Sequence, residues 1–327
     1  MNRRAFITVI GGAATAWPNL VAAQLPARRA LVAMLVSGSS GGYSVYVAAF
    51  RQGLQRLGYI EGRDLEIVYR YSDGDPARMP ALATDLVGLK PDVIVTTSTS
   101  AALAAKQATT VIPIVSAILT DPIGYGLAAS EARPGGNVTG IQFTLTGLTG
   151  KQFEVAREVI PGTSSIGLLV HAKSASNPPQ WRDADGAANI LGIKLFPIDV
   201  ELPDQLDTAF QAYARARVDW VVVLGDSLFA SERNRIAALA ISQRLPTIFA
   251  VREHVKAGGL ISYGIHQEEN YEYAAYYVDK ILKGAKVGEL PIAFPTKLTL
   301  VINLKTAKTL GIEVPPTLLA RADEVIE

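Results

Sequence analysis

Residues 94–106 read IVTTSTSAALAAK. An apolar run breaks into five successive hydroxyl residues, Thr96 to Ser100, and then into an alanine-rich helix former. A short run that is apolar without alternation marks a strand covered on both faces. The stretch therefore predicts a βα unit of a parallel sheet, with a helix N-terminus and a patch of hydroxyls at the strand's carboxyl end.

The same grammar continues on either side. ALVAMLV (30–36), LEIVYRY (65–71), DVIVT (92–96), IPIV (112–115) and VTGIQF (138–143) read as buried strands. Helical patterns separate them: over 46–57, Val47, Phe50, Leu54 and Leu57 form one apolar face. A second series follows, with strands at SIGLLVH (165–171), KLFPID (194–199), DWVVVLG (219–225) and PTIFA (246–250). Helices are expected between them, over 151–159, 179–191, 203–216 and 230–244. Beyond it, GGLISYG (258–264) and LTLVIN (298–303) read as strands flanking a helix over 270–283, before a helical tail. The predicted class is α/β, with two Rossmann-like, doubly wound parallel-sheet lobes joined by hinge crossovers. Lobe 1 is expected over 28–144, completed by about 258–290, and lobe 2 over 145–252, completed by part of about 291–327.

At 327 residues the chain suits two such units. Its composition, 49% hydrophobic against 19% charged, excludes a disordered chain. The N-terminus, MNRRAFITVIGGAATAWPNLVAAQ, has a basic start at Arg3 and Arg4, an apolar stretch and a Val21-Ala22-Ala23 cleavage site. Residues 1–23 are read as a cleavable signal peptide, by the general secretory or the twin-arginine route, placing the mature chain in the periplasm with no stable membrane insertion. Removing this segment lowers the formal charge from +1 to −1, because it carries two arginines and no acid. A nearly neutral chain without a basic stripe argues against nucleic acid. With no cysteine, the chain has no disulfide, thiolate or lipidated cysteine.

Motifs for cofactors fail. VSGSSGGYS (36–44) does not fit G-x-G-x-x-G, and GLTGKQ (147–152) lacks the earlier glycine and the Ser/Thr of a phosphate loop. His171, His254 and His266 are far apart in sequence and outside any zinc pattern. No cofactor, metal site or catalytic residue is expected. In open α/β sheets ligands bind beyond the carboxyl ends of the strands. A helix N-terminus there presents unpaired N–H groups and partial positive charge, which suits a carboxylate. One hydroxyl, Thr99 or Ser100, should cap the helix, a contribution of about 1 kcal/mol. One cap accounts for one hydroxyl, so Thr97, Ser98, Thr99 and Ser100 are read together as a neutral anion cradle. Other strand ends add Ser37, Ser39, Tyr43, Asp121 and Gln142 from lobe 1. Lobe 2 adds His171, Asn177, Asp226 and Glu253. Asp121, Asp226 or Glu253 can pair with an ammonium, so an amino acid is a coherent ligand.

Four long stretches carry a family resemblance: LGYIEGRDLEIVYRYSDGDPARMPALATDLVGLKPDVIV (57–95), DPIGYGLAASEARPGGNVTG (121–140), REHVKAGGLISYG (252–264) and PTKLTLVINLKTAKTLGIEVPPTLLARADEVIE (295–327). They resemble the periplasmic substrate-binding proteins of tryptophan/tyrosine-type ABC transporters. The resemblance implies a type I periplasmic-binding-protein fold, two lobes joined by three crossovers, and a receptor that closes over its ligand at the hinge and presents it to a permease and its ATPase. The hydroxyl cradle makes that ligand a small carboxylate-bearing solute, an amino acid or an aromatic acid, in the cleft between the lobes. A monomer is expected. Two alternatives stay open at this point: a secreted hydrolase-like enzyme using Asp226 and His171, and a ligand-sensing module for a signalling partner.

Overall fold

The computed structural model describes residues 29–143, 146–295 and 297–327. The expected signal segment, 1–23, and the expected lobe boundary at 144/145 lie outside them. Strands β1 (Ala30–Val36), β2 (Leu65–Tyr71), β3 (Val93–Thr96), β4 (Ile114–Leu119) and β5 (Val138–Gln142) form an all-parallel sheet in the order β2-β1-β3-β4-β5. Period-2 geometry splits each strand between two cores. From β1, Val32, Met34 and Val36 face helices α1 (Ser40–Arg56) and α10 (Gln267–Leu282). Ala33 and Leu35 face α2 (Met79–Gly88) and α3 (Thr99–Ala108). With both faces covered, the strands have no reason to alternate, which is why they read as apolar runs.

The second sheet has the order β12-β11-β10-β9-β8-β6-β7. Its strands are β6 (Ser165–Val170), β7 (Lys194–Asp199), β8 (Trp220–Val223), β9 (Thr247–Phe249), β10 (Ile261–Ile265), β11 (Leu298–Asn303) and β12 (Glu324–Ile326). The connecting helices are α4 (Leu148–Val159), α5 (Asn177–Leu191), α6 (Leu206–Ala216), α7 (Ser227–Ser231), α8 (Arg233–Ser242) and α9 (Arg252–Lys256). The tail contributes α11 (Leu304–Leu310) and α12 (Pro316–Leu319). Trp220 and Val222 pack into the core under α4 and α5, while Val221 and Val223 enter the core under α6 and α8. Trp220 is completely buried at the centre of this sheet. Trp220→Ala is expected to cost about 3–5 kcal/mol, lowering the melting temperature by roughly 10 °C for a unit of this size. A thermal melt that moved by only a degree or two would contradict this.

Three expectations change. The second sheet is mixed, because β10 pairs antiparallel with β11. The tail is not wholly helical, since it ends in β12, parallel to β11. The segment expected to complete lobe 1 divides: β10 joins the second sheet beside β9, and only from Gln267 onward does the chain return to the first lobe. There α10 crosses α1 so closely that a Cβ on Gly53 would lie 2.8 Å from the Cβ of Ala275. Ala293 then bridges Ile141 at the edge of the first sheet before the chain re-enters the second at β11. The lobes are thus joined three times: between β5 and α4, between β10 and α10, and between Ala293 and β11. Among the described residues no helix is long and apolar enough to cross a membrane.

Candidate ligand-binding site

Each sheet has one place where successive connections leave in opposite directions. In the first it lies between β1 and β3, and in the second between β6 and β8. Such switch points open a crevice at the carboxyl ends of the strands. The two crevices here face each other across the cleft.

On the lobe 1 side, Ser37 follows β1 and Thr97 follows β3. The Ser37 N–H donates to Thr97 Oγ1 at 2.8 Å, and the Ser37 and Ser98 hydroxyls lie 2.6 Å apart. Ser98 is the residue that caps α3, accepting from the Ala101 N–H at 3.1 Å; the cap was expected one or two residues later. The remaining hydroxyls are diverted. Thr99 Oγ1 accepts from the Thr120 N–H at 2.8 Å, tying α3 to β4. Ser100 Oγ accepts from the N–H of Ala175, in the other lobe, at 3.1 Å.

On the lobe 2 side, His171 follows β6 and Asp226 follows β8, and His171 Nδ1 lies 3.0 Å from Asp226 Oδ1. Asp226 caps α7, its Oδ1 also accepting from the Leu228 N–H at 2.8 Å. Both side chains are almost fully buried. Burial opposes charging of His171, but the hydrogen bond and charge of Asp226, reinforced by Asp199 and Glu201, outweigh it and raise its pKa. His171 Nε2 and Asn177 Oδ1 are buried without a hydrogen-bond partner. Such atoms hold unused bonding capacity.

Between these faces lies a cavity of about 30 Å³ lined by both lobes. Thr97, Ser98, Tyr43 and Phe143 come from the first, and Ser176, Asp226, Ser227 and His254 from the second, with Gln267 at a crossover. The Tyr43 hydroxyl faces Ser227, and burial pushes its pKa well above the usual value. Bonds around the rim hold the lobes together: Tyr125 O–H to the Ala175 carbonyl at 2.6 Å, the Ser39 N–H to Ser231 Oγ at 3.1 Å, and Tyr46 O–H to Glu253 at 3.3 Å. This is the closed arrangement. A cavity of this size holds about one water, so a larger ligand requires the lobes to part.

Thr97, Ser98, Tyr43 and Asp226 therefore meet at the cavity, with Ser37 and His171 directly behind Ser98 and Asp226. Ser39 caps α1, and Glu253 bonds Tyr46, so both belong to the closure contacts. Asp121 stands apart. Its backbone is left-handed at φ 49°, and its carboxylate accepts from the Gly124 N–H and lies 3.6 Å from Arg182. With Gln142 it lines a different groove, larger at about 730 Å³ but open to solvent, beside α4 and α5. The buried switch-point cavity is the better ligand site because polar groups of both lobes converge there. His254 and Gln267 were not anticipated; nothing in their local sequence separates them from ordinary helix residues.

Gly38-Ser39-Ser40-Gly41-Gly42 spells G-x-S-x-G between a strand and a helix, the pattern of a hydrolase elbow. Its serines serve the helix instead: Ser39 is the cap and Ser40 is an exposed first residue. Neither is hydrogen-bonded to a histidine among the described residues.

Two lobes, three connecting segments and a cavity enclosed between opposed switch points define a two-lobed ligand receptor. The chain belongs to the family described as ABC transporter substrate binding protein, which it matches over residues 31–326. It is 26% identical over 264 residues to a tyrosine-binding protein of Clostridioides difficile (strain R20291), covering 81% of this chain and 76% of the relative. A conserved domain protein from Vibrio cholerae O1 biovar El Tor superposes with a TM-score of 0.85 at 31% identity, covering 91% of this chain and all of the other. An ABC domain from Streptococcus pneumonia in complex with L-Trp superposes with a TM-score of 0.84 at 26% identity, with the same coverage. The fold is that of type I periplasmic binding proteins, and the family is one of substrate-binding proteins rather than enzymes.

Proposed function

We propose that this protein is the exported, periplasmic receptor of an ABC importer and that it captures an amino acid, with L-tyrosine and L-tryptophan as the first candidates. The observation that carries this reading is the opposition of Thr97 and Ser98, at the head of α3, to Asp226 across one cavity. A zwitterion needs a neutral donor set with a helix N-terminus for its carboxylate and an anion for its ammonium. Tyr43 and Phe143 in the same wall suit an apolar or aromatic side chain. The relatives named for tyrosine and bound to L-Trp support the choice of ligand. Ligand binding favours the closed form about the three crossovers, as in hinge-closing receptors, and the closed monomer is what a permease and its ATPase would recognise.

Calorimetry on the mature chain tests this. L-Tyr or L-Trp should bind, and Ser98→Ala should weaken binding at least about tenfold, the loss of one hydrogen bond to a charged group. If neutral sugars stabilise the protein and carboxylates never do, the assignment fails.

A further inference from the structure

Glycine in the first turn of a helix lowers helix stability relative to alanine, and α1 carries two in succession, Gly41 and Gly42. They differ in surroundings. A Cβ on Gly41 would meet nothing within 4 Å, whereas one on Gly42 would lie 2.7 Å from the Cα of Ser231, 2.9 Å from its Oγ and 2.9 Å from the Oγ of Ser39, the cap of its own helix. Ser231 belongs to the other lobe. The missing side chain thus lets the head of α1 seat against backbone that reaches it only when the cleft is shut.

The groups around this contact point the same way. Ser231 Oγ accepts from the Ser39 N–H at 3.1 Å, and Arg233 Nη1 donates to the Gly42 carbonyl at 2.6 Å and to the Ala230 carbonyl at 2.7 Å. Arg233 occupies the first position of α8, where a cation opposes the helix dipole. Its position is understandable through the bond it makes across the cleft.

We propose that Gly42, Ser231 and Arg233 form a closure latch: a contact that does not line the ligand cavity, exists only between closed lobes, and sets how often the lobes close and hence how tightly ligand is held. This rests on the reading of the chain as a closing receptor, and Gly42 acts as a positioning residue, through the lobes.

The chain contains no cysteine, so a reporter pair is clean. Ser100 and Ala175 touch across another part of the rim, and the double variant Ser100→Cys/Ala175→Cys should form a disulfide under mild oxidation at a rate that reports closure without any ligand. In that background Gly42→Ala should slow disulfide formation at least tenfold and Arg233→Ala severalfold, while Gly41→Ala leaves the rate unchanged. The melting temperature of reduced Gly42→Ala should stay within about a degree or two of the parent, since the gain from alanine in the helix offsets the crowding of the Ser39 cap. Equal rates for Gly42→Ala and Gly41→Ala would overturn the latch. So would a fall in melting temperature confined to Gly42→Ala, which would make the glycine a requirement of the lobe's own packing. Adding L-Trp separates the two readings: if it accelerates no variant, the choice of ligand is wrong, yet the comparison without ligand still decides the latch.

Discussion

Asp226→Asn is expected to weaken binding of an aromatic amino acid by at least about thirtyfold, equivalent to about 2 kcal/mol, the lower end of what removing one partner of a buried charge pair costs. The substitution keeps the shape of the side chain and an oxygen for the Leu228 N–H that it caps, so α7 should persist. What it removes is the negative charge. In the parent, Oδ1 takes both the Leu228 N–H and His171, which leaves Oδ2 outside those two bonds. Calorimetry with the amino acid and with its deaminated carboxylic acid separates the roles: the acid lacks an ammonium, so its affinity should change much less. Equal losses for both ligands would show that Asp226 only shapes the wall.

The fold was legible because parallel strands buried on both faces have only one kind of sequence. VIVT in β3 and WVVV in β8 are buried at every position, and no surface face dilutes the signal. What escaped was set by tertiary pairing. Nothing within ISYGI says whether β10 joins the first or the second sheet; the choice is made by its partners β9 and β11. β12 is three residues long, too short for any period. The start of α1 was expected at 46 but lies at Ser40, because Gly41 and Gly42 are poor helix formers that mask it, and of the two only Gly42 is crowded by the opposite lobe.

The site was legible as a place more than as a set of contacts. Strand ends carrying Ser37, Thr97, His171 and Asp226 could be marked because ligands gather beyond carboxyl ends. Which hydroxyl reaches the cavity could not be read, since Thr99 and Ser100 are claimed by backbone N–H groups far off in sequence, those of Thr120 and Ala175. Asp121 follows a strand as Asp226 does, yet its left-handed backbone and Arg182 draw it to the rim. His254 reaches the cavity from α9.

That same histidine should make the protein acid-sensitive. His254 is buried, stacked on Phe249 with ring centroids 4.6 Å apart, and its Nε2 lies 3.2 Å from the Phe229 carbonyl. Burial lowers its pKa from 6.5 to about 4; the charge of Arg233 adds to this, and the carbonyls of Phe229 and Val251 oppose it. Between those values the unfolded chain takes up a proton that the folded chain refuses, so stability falls as pH drops from about 6.5 towards 4, by up to about 3 kcal/mol. His171 runs the other way. Its raised pKa means that its contribution is fully present below 6.5 and is lost as pH rises through the folded value. Urea unfolding from pH 4.5 to 8.5 should therefore show an acid limb that flattens in His254→Gln, whereas His171→Gln should lower stability most below pH 6.5 and flatten only the decline above it. An acid limb equally steep in His254→Gln would place the proton uptake elsewhere. Because His254 also lines the cavity, ligand that closes the lobes over it should keep it buried and neutral, so the acid limb should persist in the bound protein.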